Sequence, residues 1–169
     1  MLYLMLSELT FQMRKEAALS TEELAVIESK ALSIATEAHA GQVDKAGCDY
    51  IEHPKAVADR CSNRECRIVA LLHDTIEDTF VTADYLREHG IPEHLVQAVL
   101  LVTKDKSDPG YNYRHYLQAI KANPIARAVK LADLSHNMDL SRLPQITPKA
   151  IRRQMKYRVS YRFLAAEAY

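Results

Sequence analysis

A histidine and an aspartate stand side by side at the end of an apolar run. His73 and Asp74 follow directly on the apolar residues 68–72, so we expect both at the buried end of a helix. A buried imidazole and a buried carboxylate are costly unless something compensates them. A divalent cation does so, because neutral histidine and ionised aspartate are competent ligands for Mn²⁺, Fe²⁺, Zn²⁺ or Mg²⁺. The pair therefore predicts part of a metal site.

Two residues of the same types, far away along the chain, complete a ligand set. His53 precedes Pro54, and Asp133 follows the apolar positions 128, 129 and 131. Neighbouring helical side chains point about 100° apart, so His73 and Asp74 can both reach one ion only if each leans inward from the helix end. The other ligands must come from distant segments. The alternative that the residues leave open is a buried structural network. The sequence predicts one divalent ion held by His53, His73, Asp74 and Asp133.

The elements that must position these residues are helices. Apolar residues recur at helical spacing along nearly the whole chain, and the alternation typical of strands is nearly absent. Ser20 and Glu23 have the spacing of a capping box, and the helix that they open should end near Gly41. Residues 42–53 are predicted to be a loop. Further helices are expected in an N-terminal stripe (Leu2, Leu6, Leu9, Met13), from Pro54 to about Cys61, from Asn63 to His73, over 83–89, from Pro92 to Leu100, over 113–122 and 124–138, and from Pro148 to near the C-terminus.

The composition is that of one soluble domain. The chain has 169 residues, of which 48% are hydrophobic and 26% charged, which fits a single all-α domain over residues 1–169. Lys plus Arg equal Asp plus Glu at 22 each, so no overall field favours a nucleic-acid polymer or an acidic membrane as partner. No synthetase or regulatory domain follows in this sequence, so a bifunctional enzyme is not expected. Monomer and homo-oligomer both stay open.

The cysteines and the N-terminus indicate the compartment. The three cysteines, Cys48, Cys61 and Cys66, match neither a CxxC pair nor a disulfide framework, and we interpret them as free thiols in a reducing compartment. The apolar N-terminus lacks a basic leader and a cleavage site. No apolar run approaches the ~20 residues of a membrane span. The sequence therefore predicts a cytoplasmic protein.

Three motifs in the same order resemble the HD superfamily of metal phosphohydrolases. They are HAGQVDKAGCDYIEHP at residues 39–54, ALLHDTIEDT at 70–79 and KLADLSHNMD at 130–139. Within that superfamily, residues 30–140 are most similar to the hydrolase domain of Rel/SpoT-type alarmone enzymes and of their small stand-alone relatives. The resemblance implies an HD-type helical fold and the same four ligands around one ion, usually Mn²⁺.

The resemblance also implies roles for residues around the ion. Glu77 and Asp78 would orient and activate the attacking water. Lys45 and Tyr50 would contact the substrate from the loop before His53, and Asn137 would lie beside the nucleotide. The implied reaction removes the 3′-pyrophosphate from guanosine tetra- or pentaphosphate. Charge stabilisation in the transition state could come from Lys45, Lys55 or Arg142.

The base-recognition edge departs from the pattern of the family. Asp44 stands where the family typically has an arginine that packs on the guanine base, and Asp49 replaces the usual proline. Asp139 and Leu140 replace an Arg-Thr pair. Two other functions therefore stay open: a phosphatase for a different small nucleotide, such as a phosphorylated dinucleotide, and a metal- or nucleotide-binding module without turnover.

The remaining histidines and the basic C-terminal run favour structural interpretations. We expect His39 and His136 to be packed or hydrogen-bonded scaffold and His89, His94 and His115 to be exposed. The C-terminal run is interpreted as a solvated helix face, with Met155, Val159 and Phe163 on the buried side; its basic residues are Arg152, Arg153, Lys156, Arg158 and Arg162.

Overall fold

The computed structural model describes residues 19–44, 46–105 and 109–166. Within these ranges the chain is helical, and the pairing of Val43 with Asp49 is an isolated bridge rather than a strand. The predicted N-terminal stripe and Lys45 lie outside the described residues. The helices are α1 (Thr21–Ala38), α2 (Glu52–Ala58), α3 (Arg64–Leu72), α4 (Thr75–Asp78), α5 (Ala83–Glu88), α6 (Glu93–Val102), α7 (Tyr113–Ala122), α8 (Pro124–Met138) and α9 (Pro148–Ala165), with a 3₁₀ turn at Leu140–Arg142.

Helices α3 and α8 form the centre of the molecule. Helix α3 packs against α1, α2, α6 and α8, while α8 also contacts α7 and α9. Because α3 is enclosed in this way, six of its nine residues are buried. Its C-cap is His73, and Asp133 is buried in α8. The most enclosed parts of the fold therefore hold the polar residues that the sequence singles out.

Several predicted helix boundaries are confirmed. Ser20 and Glu23 form the capping box at the start of α1, with Glu23 N–H donating to the Ser20 hydroxyl. Helices α7 and α8 occupy the predicted segments. Gly41 follows α1 with φ +76°, a left-handed conformation that glycine adopts without steric cost.

The predicted loop over residues 42–53 is wrong at its end. Helix α2 begins at Glu52, so His53 lies in its first turn and is buried. Pro54 fits there because the first helical N–H groups have no partner within the helix. The short helix α4 was not predicted; its first residue, Thr75, donates its hydroxyl proton to Leu72 O at 2.8 Å.

The predicted buried side of the C-terminal helix is also wrong. Met155 and Val159 are 61% and 69% exposed, whereas Phe163 packs partly buried against the core. The buried positions of α9 include Ala150 and Leu164. Apolar residues occupy two faces of this helix, and the face with the small Ala150 is the one that packs on α7 and α8.

The cysteines only partly match the predicted free thiols. Cys48 is free and exposed. Cys61 and Cys66 form a disulfide across the turn between α2 and α3, with the two Cα atoms 5.6 Å apart. That distance is ordinary for a disulfide. The turn between α2 and α3 brings the two cysteines together, and their spacing in the sequence does not reveal this turn. Among the described residues, none of the helices combines the length and the apolar composition that a membrane crossing needs.

Candidate functional site

The four predicted ligand residues lie together where α2, α3, α4 and α8 meet. His53 Nε2 is 3.4 Å from Asp133 Oδ1 and 3.6 Å from Asp74 Oδ2. Asp74 is the N-cap of α4 and follows His73 directly, so the break between α3 and α4 turns both side chains toward the same point. The structure therefore brings residues from three distant segments of the chain into one cluster.

His73 is oriented by its own helix. Its Nδ1 lies 2.7 Å from the backbone carbonyl of Ala70, so Nδ1 carries the proton and donates it. Its Nε2 faces the cluster, 3.1 Å from Asp74 Oδ2 and 3.9 Å from Asp133 Oδ1. This buried nitrogen makes no hydrogen bond within the described chain. A buried nitrogen without a well-directed hydrogen bond is costly, and a cation between this nitrogen and the two carboxylates would satisfy all three groups.

The cluster fits a divalent metal ion. His53, His73 and Asp133 offer nitrogen and oxygen atoms that all lie within 4.8 Å of one another. Asp74 adds a carboxylate beside both imidazoles. Mixed imidazole and carboxylate ligands are those that Zn²⁺, Fe²⁺ and Mn²⁺ take in proteins. These residues can therefore hold one ion.

The Asp74 and Asp133 carboxylates make the cluster a favourable place for a positive charge. Burial alone would lower the pKa of His73, but the Asp74 and Asp133 carboxylates outweigh it and raise the pKa to about 9. Burial alone would raise the pKa of each carboxyl, but His73 lowers the pKa of Asp74, and Lys130 lowers that of Asp133, below their ordinary values. Both carboxylates are therefore ionised at neutral pH, as metal ligation requires.

Lys130 and Asn137 hold the Asp133 carboxylate from α8 itself. Lys130 Nζ donates to Asp133 Oδ2 at 2.8 Å, and Asn137 Nδ2 donates to Asp133 Oδ1. Burial alone would lower the pKa of Lys130, but Asp133 raises it well above its ordinary value. Lys130 was not predicted as a site residue, although a lysine three residues before a buried aspartate lies on the same helix face.

Glu77 and Asp78 line the same cleft as the cluster. The Glu77 carboxylate accepts hydrogen bonds from Lys104 N and Lys104 Nζ, both at 3.1 Å, and its side chain is nearly buried. Asp78 is exposed, and its backbone carbonyl accepts a hydrogen bond from Gln42. The two predicted catalytic carboxylates thus have different surroundings, one held by a lysine and the other facing solvent.

The cleft has a volume of about 360 Å³ and a mixed charged lining. Three of its cations, Lys104, Lys130 and Arg153, were not predicted as site residues. Arg153 was assigned to a solvated face, yet it is half-buried and lines the cleft with Tyr157, one helical turn further along α9. Within the described residues, Arg153 makes no ion pair, unlike Lys104. It is therefore available to an anionic ligand.

The predicted substrate contacts have separate outcomes. Tyr50 lines the cleft and donates its hydroxyl proton to Asp74 Oδ2 at 2.6 Å. Burial, together with the Asp74 charge, raises the pKa of the Tyr50 hydroxyl. Asn137 also lines the cleft. Of the three predicted contacts, only Lys45 lies outside the described residues.

Asp44, the departure from the family pattern, is hydrogen-bonded within the protein through both of its carboxylate oxygens. Its Oδ2 accepts a hydrogen bond from Arg142 Nη2 at 2.8 Å, and its Oδ1 accepts the N–H groups of Ala46 and Cys48. Burial alone would raise the pKa of Asp44, but these backbone donors and Arg142 lower it. The charge of Asp44 is therefore compensated within the protein, and its carboxylate shapes the loop.

The other histidines are placed as expected. His136 is buried, with its Nδ1 at 2.7 Å from His53 Nδ1, and burial together with Arg142 lowers its pKa to about 4. His39 is buried and pairs with Gln42 Oε1 at 2.9 Å. The exposed ones are His89, His94 and His115.

Alignments with curated relatives cover about two thirds of this chain. It is 35% identical over 121 residues to a probable GTP pyrophosphokinase of Mycobacterium leprae, an alignment that covers 66% of this chain and 15% of that protein. It is 36% identical over 118 residues to a guanosine-3′,5′-bis(diphosphate) 3′-pyrophosphohydrolase of Aquifex aeolicus, covering 64% and 17%. It is 35% identical over 121 residues to the bifunctional (p)ppGpp synthase/hydrolase SpoT of Escherichia coli, again covering 64% and 17%.

The resemblance to the Rel/SpoT-type enzymes is confirmed. The chain spans only 15 to 17% of the length of these curated relatives. A solved structure described as a metazoan ortholog of SpoT that hydrolyses ppGpp superposes with a TM-score of 0.68 at 20% identity, covering 88% of this chain and 87% of that one. The all-helical fold of the chain is thus the fold of this SpoT ortholog. No protein-family model matches the chain.

Proposed function

We propose that this chain is a divalent-metal-dependent phosphohydrolase that removes the 3′-pyrophosphate from guanosine tetra- or pentaphosphate. The observation that carries the proposal is the convergence of His53, His73, Asp74 and Asp133, with His73 Nε2 buried and lacking a hydrogen bond within the described chain. The names of the Rel/SpoT relatives supply the substrate class. The proposal includes a single domain over residues 1–169, a small nucleotide as the partner and the cytoplasm as the compartment.

The four clustered residues are proposed to hold one ion, for which Mn²⁺ is our choice. Two carboxylates in the set suit a harder ion than an all-imidazole site would. A bound ion would supply polarisation of a phosphoryl oxygen and a nucleophilic water at neutral pH. Tyr50 and Lys130 would keep the Asp74 and Asp133 carboxylates oriented, because each donates to the Oδ2 atom of its partner.

Glu77 and Asp78 are proposed as the acid–base pair. The oxygen of water would bond to the phosphorus next to the ribose, the bond from that phosphorus to O3′ would break, and pyrophosphate would leave. The water proton would pass to a carboxylate, and O3′ would take up a proton to become a hydroxyl. Glu77 suits the acceptor role because Lys104 holds its carboxylate in the cleft. Such proton transfer typically contributes about 10²–10⁴-fold to the rate.

Arg153 is proposed to contact a phosphate group of the substrate. It lines the cleft with Asn137 and Tyr157, and a guanidinium binds phosphate oxygens in a bidentate manner. The described residues offer it no carboxylate partner. A substrate with several phosphates would provide the missing negative charge.

A second candidate is a phosphatase for another small nucleotide, and the surroundings of Asp44 favour it. The family arginine that packs on guanine is absent, and Arg142 is held by Asp44 rather than free to stack on a base. The base-binding edge therefore offers a different recognition surface from that of the family. The residues around the proposed ion are the same for both candidates.

A panel of nucleotides tests the proposal. The chain would be incubated with Mn²⁺ and, separately, guanosine tetraphosphate, guanosine pentaphosphate and a phosphorylated dinucleotide cofactor. Pyrophosphate and orthophosphate would be measured in each case, with Asp74→Ala as the control for contaminating activity. Pyrophosphate released from the guanosine substrates supports the proposal. Orthophosphate from the dinucleotide alone favours the second candidate, and no product from any substrate contradicts both.

A further inference from the structure

A series of hydrogen bonds connects the substrate-facing loop to one of the proposed ligands. Arg142 Nη2 donates to Asp44 Oδ2 at 2.8 Å. Arg142 Nη1 lies 3.2 Å from His136 Nδ1 and 3.3 Å from His136 O. His136 Nδ1 in turn lies 2.7 Å from His53 Nδ1, and the two ring planes are inclined by 22° with their centroids 4.9 Å apart. Asp44, Arg142, His136 and His53 thus form one relay.

The donors and acceptors in this relay allow one assignment of protons. A guanidinium has donors and no acceptor, so the His136 Nδ1 that faces Arg142 has to be unprotonated. The same nitrogen faces His53 Nδ1, so His53 Nδ1 has to carry the proton that is shared between the rings. In the neutral form of His53 the lone pair is then on Nε2, the atom that faces Asp74 and Asp133.

We infer that Arg142 is a positioning residue that selects the tautomer of His53, so that the unprotonated Nε2 faces the metal site. Without Arg142, His136 Nδ1 can carry the proton and donate it to His53 Nδ1. His53 Nε2 would then be protonated, and a protonated nitrogen cannot ligate an ion. Partners of this kind typically change metal affinity by about 10–100-fold when they are removed.

Asp44 gives the relay its anchor in the loop. Its second oxygen accepts the N–H groups of Ala46 and Cys48, so the loop that lines the cleft and the guanidinium of Arg142 are held together. The negative charge of Asp44 also offsets the positive charge of Arg142, which lies near the proposed cation site. The aspartate at the position where the family has arginine therefore holds the loop and Arg142 together in this chain.

The inference rests on the proposed metal site, but its first test needs no metal. Two-bond ¹H–¹⁵N correlation spectra of the imidazoles distinguish protonated from unprotonated ring nitrogens. They would be recorded on the metal-free chain at about pH 8, above the ordinary histidine pKa of about 6.5. The expected spectrum has His53 protonated on Nδ1 and unprotonated on Nε2, and His136 unprotonated on Nδ1. The opposite assignment for either ring overturns the inference.

The second test measures Mn²⁺ affinity by calorimetry in wild type and Arg142→Met. We expect about tenfold weaker binding in the variant, at the low end of the range for such partners, together with the appearance of Nε2 protonation on His53. Arg158→Met, the same change on the exposed face of α9, is the matched control and should bind as wild type does. Arg142→Lys keeps a donor without an acceptor and should recover most of the affinity.

Each outcome decides a different claim. Equal Mn²⁺ affinity and an unchanged His53 tautomer in Arg142→Met overturn the inference and leave the proposed function intact. A wild-type chain that binds no Mn²⁺ contradicts the proposed function, while the spectra of wild type and Arg142→Met still decide the inference. If Arg142→Met does not fold, His136→Leu removes the acceptor instead and should weaken Mn²⁺ binding to a similar extent.

Discussion

Charged clusters lie at both ends of α3, and their chemistry differs. At the N-terminal end, Arg67 Nε and Arg64 Nη1 each lie 2.6 Å from a Glu28 carboxylate oxygen. Arg67 Nη1 also lies 3.5 Å from Asp59 Oδ1. Two cations therefore face two anions, and these ion pairs join α1, α3 and the C-cap of α2. The cluster is complete without any ligand.

At the C-terminal end of α3, the cluster is incomplete. The Asp74 and Asp133 carboxylates approach His53 and His73, but His73 Nε2 has no hydrogen bond within the described chain. Lys130 is a buried cation of this cluster, and it binds Asp133 from the side. The comparison teaches that pairing within the protein marks a structural cluster, whereas a buried histidine nitrogen that lacks a hydrogen bond and faces two carboxylates marks a place for an ion.

The largest expected effect is the loss of the ion. Asp74→Ala removes a charged ligand of the proposed site, so we expect both metal binding and nucleotide hydrolysis to be lost. Metal content by plasma mass spectrometry and product release would be measured together. Asp59→Ala, the same change in the complete cluster, should retain metal and activity. If Asp74→Ala retained as much metal per chain as wild type, the proposed difference between the two clusters would be contradicted.

A smaller effect is expected where a carboxylate acts without holding the ion. Glu77→Gln should leave Mn²⁺ affinity near wild type and lower kcat by about 10²–10⁴-fold, because the amide cannot accept a proton from water. Calorimetry with Mn²⁺ and steady-state kinetics would separate the two quantities. Equal loss of affinity and turnover would contradict the role proposed for Glu77.

The smallest effect is expected at the complete cluster. Glu28→Gln should lower the free energy of unfolding by about 1 kcal/mol at neutral pH, since the pairs are partly exposed, without changing Mn²⁺ affinity. Burial raises the pKa of Glu28, but Arg67 and Arg64 outweigh it and hold the pKa below its ordinary value. The stabilisation is therefore present above the unfolded pKa of about 4.3 and is lost as pH falls through the folded pKa.

Urea unfolding of wild type and Glu28→Gln at a series of pH values measures this dependence. The difference in unfolding free energy should shrink as the medium is acidified. A difference that stays constant or grows on acidification would mean that the carboxylate of Glu28 is not the stabilising group.

The sequence allowed the clustered residues to be predicted because their types and their apolar flanks are local features. His73 and Asp74 end a buried helical run, and Asp133 lies within another. The helices that carry them were predicted for the same reason, since each presents a periodic apolar face.

Contacts between distant segments without such a local signal could not be predicted in this way. Asp44 and Arg142 are 98 residues apart, and nothing local to either one indicates the other. Arg153 was assigned to the solvated face of α9 because Met155, Val159 and Phe163 were expected on the buried side of that helix. Tertiary packing chose the side that contains Leu164 and left Met155 exposed, and this choice turned Arg153 toward the cleft.

The central claim is that one divalent cation joins two imidazoles and two carboxylates in this fold. Anomalous diffraction at the manganese edge, from crystals grown with Mn²⁺, tests it most directly. The account predicts one strong peak per chain within coordinating distance of His53, His73, Asp74 and Asp133. Absence of a peak between these side chains in well-ordered crystals, or a peak bound elsewhere on the chain, would contradict it.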